Sequence, residues 1–559
     1  MNDLRFSAWL KYAILSAVAL CFTVARPASL PSSHARSVTT PRDDEPTKTK
    51  ESSKGESAKK SATTERKSDG EKPKVLDKAK TKSRADARAK ETLEPRTPVV
   101  TEHQLKLGQR VVLYTVTVGK LPIRDKVTLE TEASLFFLAY TVKSDKPRPL
   151  MFSFNGGPGS SSVWLHLGAL GPKIVAMPPD ATMPKPPYRV ADNPQTWLEF
   201  TDLVFIDPVG TGYSRASKPE LTKKFHGLRG DIESVGEFIR FYLSRYERWD
   251  SPLFLVGESY GTTRAAGLAG RLIEEGIAFS GIVLISSVLN FQTVEFARGN
   301  DLPYVLFLPT YTATAWYHKK LPNDLQADLN LALRESESFA LGDYARALAQ
   351  GSELAGEERR RVRAQLARLS GLSETFLDQT DLRIHIQEFC KELLRVDRRT
   401  VGRLDTRFVG IDERAAGEAP DFDPSLAAIR PPYTAAMNQY VRAQLKYKSD
   451  LTYEILSSVG PWDWGNTGRQ GYPDTSASLR SAFSKNPHMR LFVASGYYDL
   501  ATPYFATEYS LDHMSLEPSQ RARAEVKYYE AGHMMYIHPR SLSALKNDVR
   551  ACVQRAAQP

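Results

Sequence analysis

The stretch Pro252-Leu253-Phe254-Leu255-Val256-Gly257-Glu258-Ser259-Tyr260-Gly261-Thr262 joins an apolar run to a helix-like segment rich in small residues. The apolar run has the length and character of a buried strand. The segment after it carries Thr262, Ala265, Ala266, Gly267, Ala269 and Gly270. Between the two lies G-x-S-x-G, an elbow in which a strand turns sharply into a helix and holds a serine in a strained, exposed conformation. Gly257 and Gly261 suit it because a tight elbow leaves no room for a Cβ at either flank. A helix that starts at the serine offers its free backbone N–H groups to developing negative charge. Ser259 is therefore the candidate nucleophile.

Working outward, strands are expected at Val111–Val118, Ala133–Val142, Pro149–Phe154 and Leu203–Asp207. Ile232, Val235, Phe238, Ile239, Tyr242 and Leu243 give residues 228–246 a helical period. Further strands are expected at Gly281–Ile285, Arg490–Ala494 and Glu525–Tyr529, with a helix closing the chain. Short apolar strands alternating with amphipathic helices predict an α/β fold, a mostly parallel sheet covered on both faces. Residues 97–300 and 451–559 are expected to form this core. Between 301 and 450 the strand pattern stops, and 323–400 is helical and charged. That segment reads as a helical cap insertion over the active end of the sheet.

The N-terminal part is of different material. Arg5 and Lys11 lead into an apolar run from Tyr12 to Ala25, short for a membrane span and suited to a signal peptide over residues 1–25, with Thr23 and Ala25 forming an acceptable cleavage site. Residues 26–96 lack Trp, Phe and Tyr and carry 19 Lys and Arg against 12 Asp and Glu. Such a segment cannot bury enough surface to order itself and reads as a disordered linker. Its excess of seven positive charges accounts for most of the net +10 of the 559-residue chain, so the folded part is nearly neutral. Contact of this tail with an anionic cell envelope is one reading, a solvated spacer the plainer one. No nucleic-acid partner is expected. Past the signal, Cys390 and Cys552 allow at most one disulfide, and no Cys/His cluster has metal-ligand spacing, so neither metal nor cofactor is expected.

A serine hydroxyl needs a base to remove its proton, and that base needs an orienting carboxylate. In α/β hydrolases these arise in the order Ser, Asp or Glu, His, each on a loop after a strand. Asp499 follows the strand at 490–494 through Ser495-Gly496-Tyr497-Tyr498, and His533 follows the strand at 525–529 through Glu530-Ala531-Gly532. Both satisfy order and topology. Asn155-Gly156-Gly157-Pro158-Gly159 lacks the residues of a phosphate loop. In this fold a loop so placed gives one oxyanion-hole N–H, and the residue after the nucleophile gives the other. The backbone amides of Gly157 and Tyr260 are the candidates.

Five segments together resemble the serine carboxypeptidase family (peptidase family S10), in an exported member of bacterial type. They are Asn155–Ser162, Asp207–Ser214, Gly257–Gly261, Ser495–Pro503 and Ala531–Met534, in the family's order, covering roughly 150–300 and 490–540. The resemblance implies the α/β-hydrolase fold and removal of C-terminal residues from a peptide or protein substrate through an acyl-enzyme. It also implies recognition of the substrate's free carboxylate by Asn155, Gly156 and Glu258. A carboxylate facing a carboxylate binds only when one is protonated, which favours acidic pH. The sequence departs from the family pattern at Ser153 (a Trp), at Ala169 (the Glu that shares the proton), at Ser160 (a half-cystine) and at Tyr536 (often Pro). Alternatives are an aminopeptidase, esterase or acyltransferase on the same fold, or a non-catalytic envelope-binding protein.

Overall fold

The computed structural model describes residues 97–465 and 471–558. The expected signal peptide and linker lie outside the described residues. The central sheet uses β1 (Val99–Leu107), β2 (Arg110–Arg124), β3 (Thr131–Thr141), β4 (Leu150–Phe154) and β5 (Asp202–Ile206). It continues through β6 (Leu253–Ser259), β7 (Gly281–Ser287), β8 (Arg490–Gly496) and β9 (Ala524–Tyr529). The spatial order is β1-β2-β3-β5-β4-β6-β7-β8-β9, with the short strand Arg215–Ala216 on β3. β1 to β3 form an antiparallel meander, and β3 is antiparallel to β5. From β5 to β9 every neighbouring pair is parallel. This is the α/β-hydrolase fold, with β1 added ahead of the first strand that the sequence pattern marks.

Both faces of the parallel strands are covered, which is why these strands read as unbroken apolar runs. Phe254 and Val256 of β6 point into one core, Leu253 and Leu255 into the other. The second core is roofed by α1 (Leu228–Arg245) and α2 (Tyr260–Glu274), which contribute Val235, Phe238, Ile239, Ala265, Ala266 and Leu268. Small residues on α2 let it approach closely: a Cβ on Gly267 would come within 2.3 Å of Ile232 Cδ1 on α1.

The stretch expected as one insertion, 301–450, divides between two cores. Residues 302–401 gather around α3 (Leu302–Tyr317) with Tyr498, Leu500 and Tyr504 in a third apolar cluster. By contrast α4 (Pro424–Gln439) packs Ile429, Tyr433 and Met437 into the first sheet core, alongside α5 (Pro539–Ala556). Cys390 lies in the third cluster and Cys552 in the first, both buried and unpaired.

Parallel topology places one end of each strand at one rim of the sheet. β4 delivers Asn155, β6 ends in Ser259, β8 leads to Asp499, and β9 leads to His533. The segment after α4 closes over this rim: Ser457 N–H donates to the Gly159 carbonyl (2.9 Å), and Ser161 N–H to the Ile455 carbonyl (3.1 Å).

Candidate active site

Ser259 is the last residue of β6 and caps α2, with φ 59° and ψ −132°. A left-handed φ at a non-glycine costs about 1–3 kcal/mol and persists only where the surroundings impose it. Here they do. A Cβ on Gly257 would stand 2.1 Å from the Gly261 carbonyl oxygen, and one on Gly261 2.9 Å from that of Phe154. A Cβ on Gly156 would stand 2.5 Å from the Tyr260 nitrogen and 2.7 Å from that of Gly261. The N-G-G loop thus lies directly against the elbow, backbone on backbone.

His533 Nδ1–H donates to Asp499 Oδ2 at 2.8 Å. Asp499 is fully buried, and its carboxylate is held by the N–H groups of Ala501 (2.7 Å) and Thr502 (3.0 Å) and by the Thr502 hydroxyl (2.8 Å). These donors fix the carboxylate and thereby the ring. The imidazole loop is clamped from three sides. His533 N–H donates to the Leu404 carbonyl (2.6 Å), Gly532 N–H to Asp405 (3.1 Å), and Ser286 Oγ to the His533 carbonyl (2.7 Å). Burial opposes the imidazolium, as does Arg403; Asp499, with Glu258 behind it, outweighs them and lifts the imidazole pKa above its ordinary 6.5.

Ser259 and His533 line one cavity of about 420 Å³, together with Asn155, Gly156, Gly157, Glu258 and Tyr260. The structure therefore brings to one concavity every expected site residue except Asp499, which lies behind His533. Among the described residues no hydrogen bond joins Ser259 Oγ to the ring, a contact that commonly tightens only when substrate is bound. Trp164, Leu426 and Ile429 form an apolar wall, and Arg403 and Asp423 also reach the cavity.

Glu258 is 3% exposed, and burial first of all raises its pKa to about 7. The Tyr536 hydroxyl donates to its Oε2 at 2.5 Å. Asn155 Oδ1 accepts from Leu165 N–H (3.1 Å), while its buried Nδ2 has no hydrogen-bond partner among the described residues. Ala169 is buried, and its carbonyl accepts from Asn193 Nδ2 (2.8 Å). Ser160 Oγ accepts from the Trp164 indole N–H (2.7 Å).

Several residues at the site escaped the sequence reading. Arg264 (1% exposed) pairs with Asp231 (2%) through Nε at 2.7 Å and donates from Nη1 to the Asn155 carbonyl at 2.7 Å. Its guanidinium stacks over Tyr260 and Phe154, and the Tyr260 hydroxyl donates to Asp231 (3.0 Å). One buried cation thus ties the N-G-G loop to α2. The available signal was an arginine set among the alanines and glycines of the helix's first turns, which are buried all round. Tyr536 had been marked only as a departure from the family pattern, and Arg403 and the Leu404–Asp405 clamp carried no comparable mark.

A profile of the serine carboxypeptidase family (peptidase S10) matches residues 125–543. The chain belongs to that family. The match runs through the helical insertion, which the five motifs had left outside. Carboxypeptidase sxa2 of Schizosaccharomyces pombe is 26% identical over 222 residues, covering 38% of this chain and 40% of the relative. The retinoid-inducible serine carboxypeptidase of Mus musculus is 28% identical over 177 residues, 29% of this chain and 35% of the relative. Serine carboxypeptidase-like 13 of Arabidopsis thaliana is 32% identical over 136 residues, 23% of this chain and 30% of the relative. The chain thus spans less than half the length of these members of the serine carboxypeptidase family. Among solved structures, a lipase in its open form aligns over 79% of this chain and all of that one, at 13% identity and a TM-score of 0.35.

Proposed function

We propose that the protein is an exported serine carboxypeptidase that releases C-terminal residues from peptides through an acyl-enzyme. Ser259 Oγ attacks the last peptide carbonyl while His533 Nε2 takes its proton, and Asp499 holds the imidazolium. The amides of Gly157 and Tyr260 receive the oxyanion. Tyr260 N–H opens α2, so the helix dipole adds to the hydrogen bond. His533 returns the proton to the departing amine, and water, deprotonated by the same ring, frees the acyl group. Asn155, Gly156 and Glu258 bind the terminal carboxylate. No step calls for a metal or cofactor. Export by residues 1–25 rests on Arg5, Lys11 and the apolar run after them.

The observation that carries this reading is the buried His533–Asp499 bond at 2.8 Å beside a serine held at φ 59°, in a family of serine carboxypeptidases. The deciding experiment compares wild type with Ser259→Ala on an N-blocked dipeptide acid. Loss of amino-acid release supports the reading, and retained release refutes it. A second reading, an esterase, aminopeptidase or acyltransferase, draws on the absence of a carboxyl at Ala169. It predicts no preference for a peptide acid over its amide. A fluorophosphonate probe that leaves Ser259 unlabelled would favour the non-catalytic envelope-binding reading.

A further inference from the structure

Beside the elbow lies a cluster of groups that the hydrolytic steps do not use. Tyr536 (1% exposed) sits in the short helical turn Met535–Ile537 just after His533, and its hydroxyl reaches Glu258 Oε2. Its ring rests on the backbone at Gly168, where an added Cβ would stand 2.7 Å from Tyr536 Cε2 and 2.7 Å from the Tyr433 hydroxyl. Both phenols lie over this glycine, and the next residue, Ala169, places no carboxyl there. The buried Asn155 Nδ2 makes no well-formed hydrogen bond among the described residues, but it lies close enough to the Glu258 carboxyl and the Tyr536 hydroxyl to act on both. A donor so poorly satisfied gains a better-aligned hydrogen bond when an acceptor enters the cavity that Asn155 and Glu258 line.

We propose that Tyr536 is a positioning and specificity-determining residue: by donating its phenol proton to Glu258 Oε2 it confines the carboxyl's own proton to Oε1. Glu258 and the Asn155 amide then bind a carboxylate only while Glu258 is protonated. The inference rests on the carboxypeptidase reading and adds to it the group that sets its pH range.

The chemistry follows from donor counts. A neutral carboxyl has one proton, which can reside on either oxygen. Oε2 already accepts from a phenol, so a proton placed there would face another donor. On Oε1 it can be given to a carboxylate in the cavity, while Asn155 Nδ2–H gives a second hydrogen bond. Burial holds the Tyr536 phenol well above its ordinary range, with Glu258 adding to this, so the phenol remains a donor at every working pH.

The groups that act on Glu258 come from each neighbouring element. Burial favours its neutral form, and the Asp499 carboxylate works in the same direction. The His533 ring, the Tyr536 hydroxyl and the Asn155 amide favour the anion. Burial, and after it the same carboxylate, holds the Tyr433 phenol on α4 above its ordinary range. The balance puts the change of state at about 7. Below it the site accepts a substrate carboxylate; above it, two like charges meet in a buried place. Removing the phenol withdraws a donor that favours the anion, so the change of state moves to higher pH.

The test measures kcat/KM for an N-blocked dipeptide acid and for the same peptide as its amide, from pH 5 to 9, with the acid-to-amide ratio as the readout. Wild type should show a ratio that falls tenfold per pH unit above its midpoint. In Tyr536→Phe that midpoint should rise by about one pH unit, the scale of one hydrogen bond to a charged group. A phenol serving only as packing would alter both substrates alike and leave the midpoint of the ratio in place, which would overturn the proposal. If Tyr536→Phe does not fold, Glu258→Gln decides. The phenol would hold the amide oxygen and turn its NH2 to the cavity, so the acid-to-amide ratio should stay level between pH 6 and 9, over which the wild-type ratio falls tenfold per pH unit above its midpoint. A Glu258→Gln protein with no acid preference at any pH would overturn the assignment. Should wild type show no Ser259-dependent release from the acid at all, the carboxypeptidase reading itself falls.

Discussion

Replacing Arg264 by methionine should damage stability and catalysis by separable routes. The guanidinium is 1% exposed and does two jobs: it neutralises Asp231, itself 2% exposed, and it donates to the Asn155 carbonyl at 2.7 Å. Methionine fills much of the volume but leaves Asp231 with the Tyr260 hydroxyl as its remaining side-chain donor. Removing one partner of a buried ion pair costs about 3–5 kcal/mol, because the other charge stays out of water. Urea unfolding should show a loss of that size through a lower midpoint at constant slope. Adding Asp231→Asn removes the stranded charge and keeps an acceptor for Tyr260, so the double variant should recover at least about 2 kcal/mol of it. Catalysis should not recover in parallel. The Asn155 carbonyl still lacks its donor, the N-G-G loop loosens against the elbow, and a displacement of about 1 Å there costs roughly 100-fold in kcat/KM. A single variant that loses under about 1 kcal/mol, or a double variant no more stable than the single, would refute the stranded-charge argument. A double variant with wild-type kcat/KM would refute the positioning of the loop through Asn155.

Four further outcomes follow from the same geometry. With an amide substrate, which makes no demand on the protonation of Glu258, kcat/KM should rise with pH to a plateau. Its midpoint should lie above 6.5, since the proposed base His533 would act when neutral, and against burial and Arg403 the Asp499 and Glu258 carboxylates favour the imidazolium. Asp499→Asn should bring that midpoint down and lower kcat by about four orders of magnitude, read from the same pH–rate series. Arg403→Gln removes a cation that disfavours the His533 imidazolium, so it should move the midpoint to higher pH; a downward move would contradict the assigned sign. Gly156→Ala places a methyl 2.5 Å from the Tyr260 nitrogen, where backbone and not a flexible side chain must yield. It should cut kcat/KM at least 100-fold with substrate acid and amide alike, and equal activity would show that the loop can retreat without cost.

What could be read from sequence and what could not divide along a physical line. β4, β5, β6, β7 and β8 were legible because a strand covered on both faces must be apolar at every position, a property of five or six consecutive residues. The elbow was legible for the same local reason: Gly257 and Gly261 are required by contacts with their own near neighbours. Asp499 and His533 could be nominated because each follows such a strand, so that chain order stands in for position in space. Tyr536 and Glu258 are 278 residues apart, Arg264 and Asn155 are 109 apart, and Gly532 and Asp405 are 127 apart. No local period encodes such pairings; they exist only after the sheet has closed and the insertion has folded over it. The insertion hid its division for a related reason. α4 carries Pro431 and Pro432 and pairs its apolar residues with a sheet face laid down by other segments, so its sequence gives no sign of which core it joins. Ala169 and Tyr536 illustrate the consequence. Taken one at a time along the chain they read as two losses from a carboxylate site, but in space a phenol stands against the backbone beside Ala169 and its hydroxyl reaches the carboxyl of Glu258. A substitution that deletes an acid at one position and a substitution that supplies a hydroxyl at another can be a single change in the chemistry of one site.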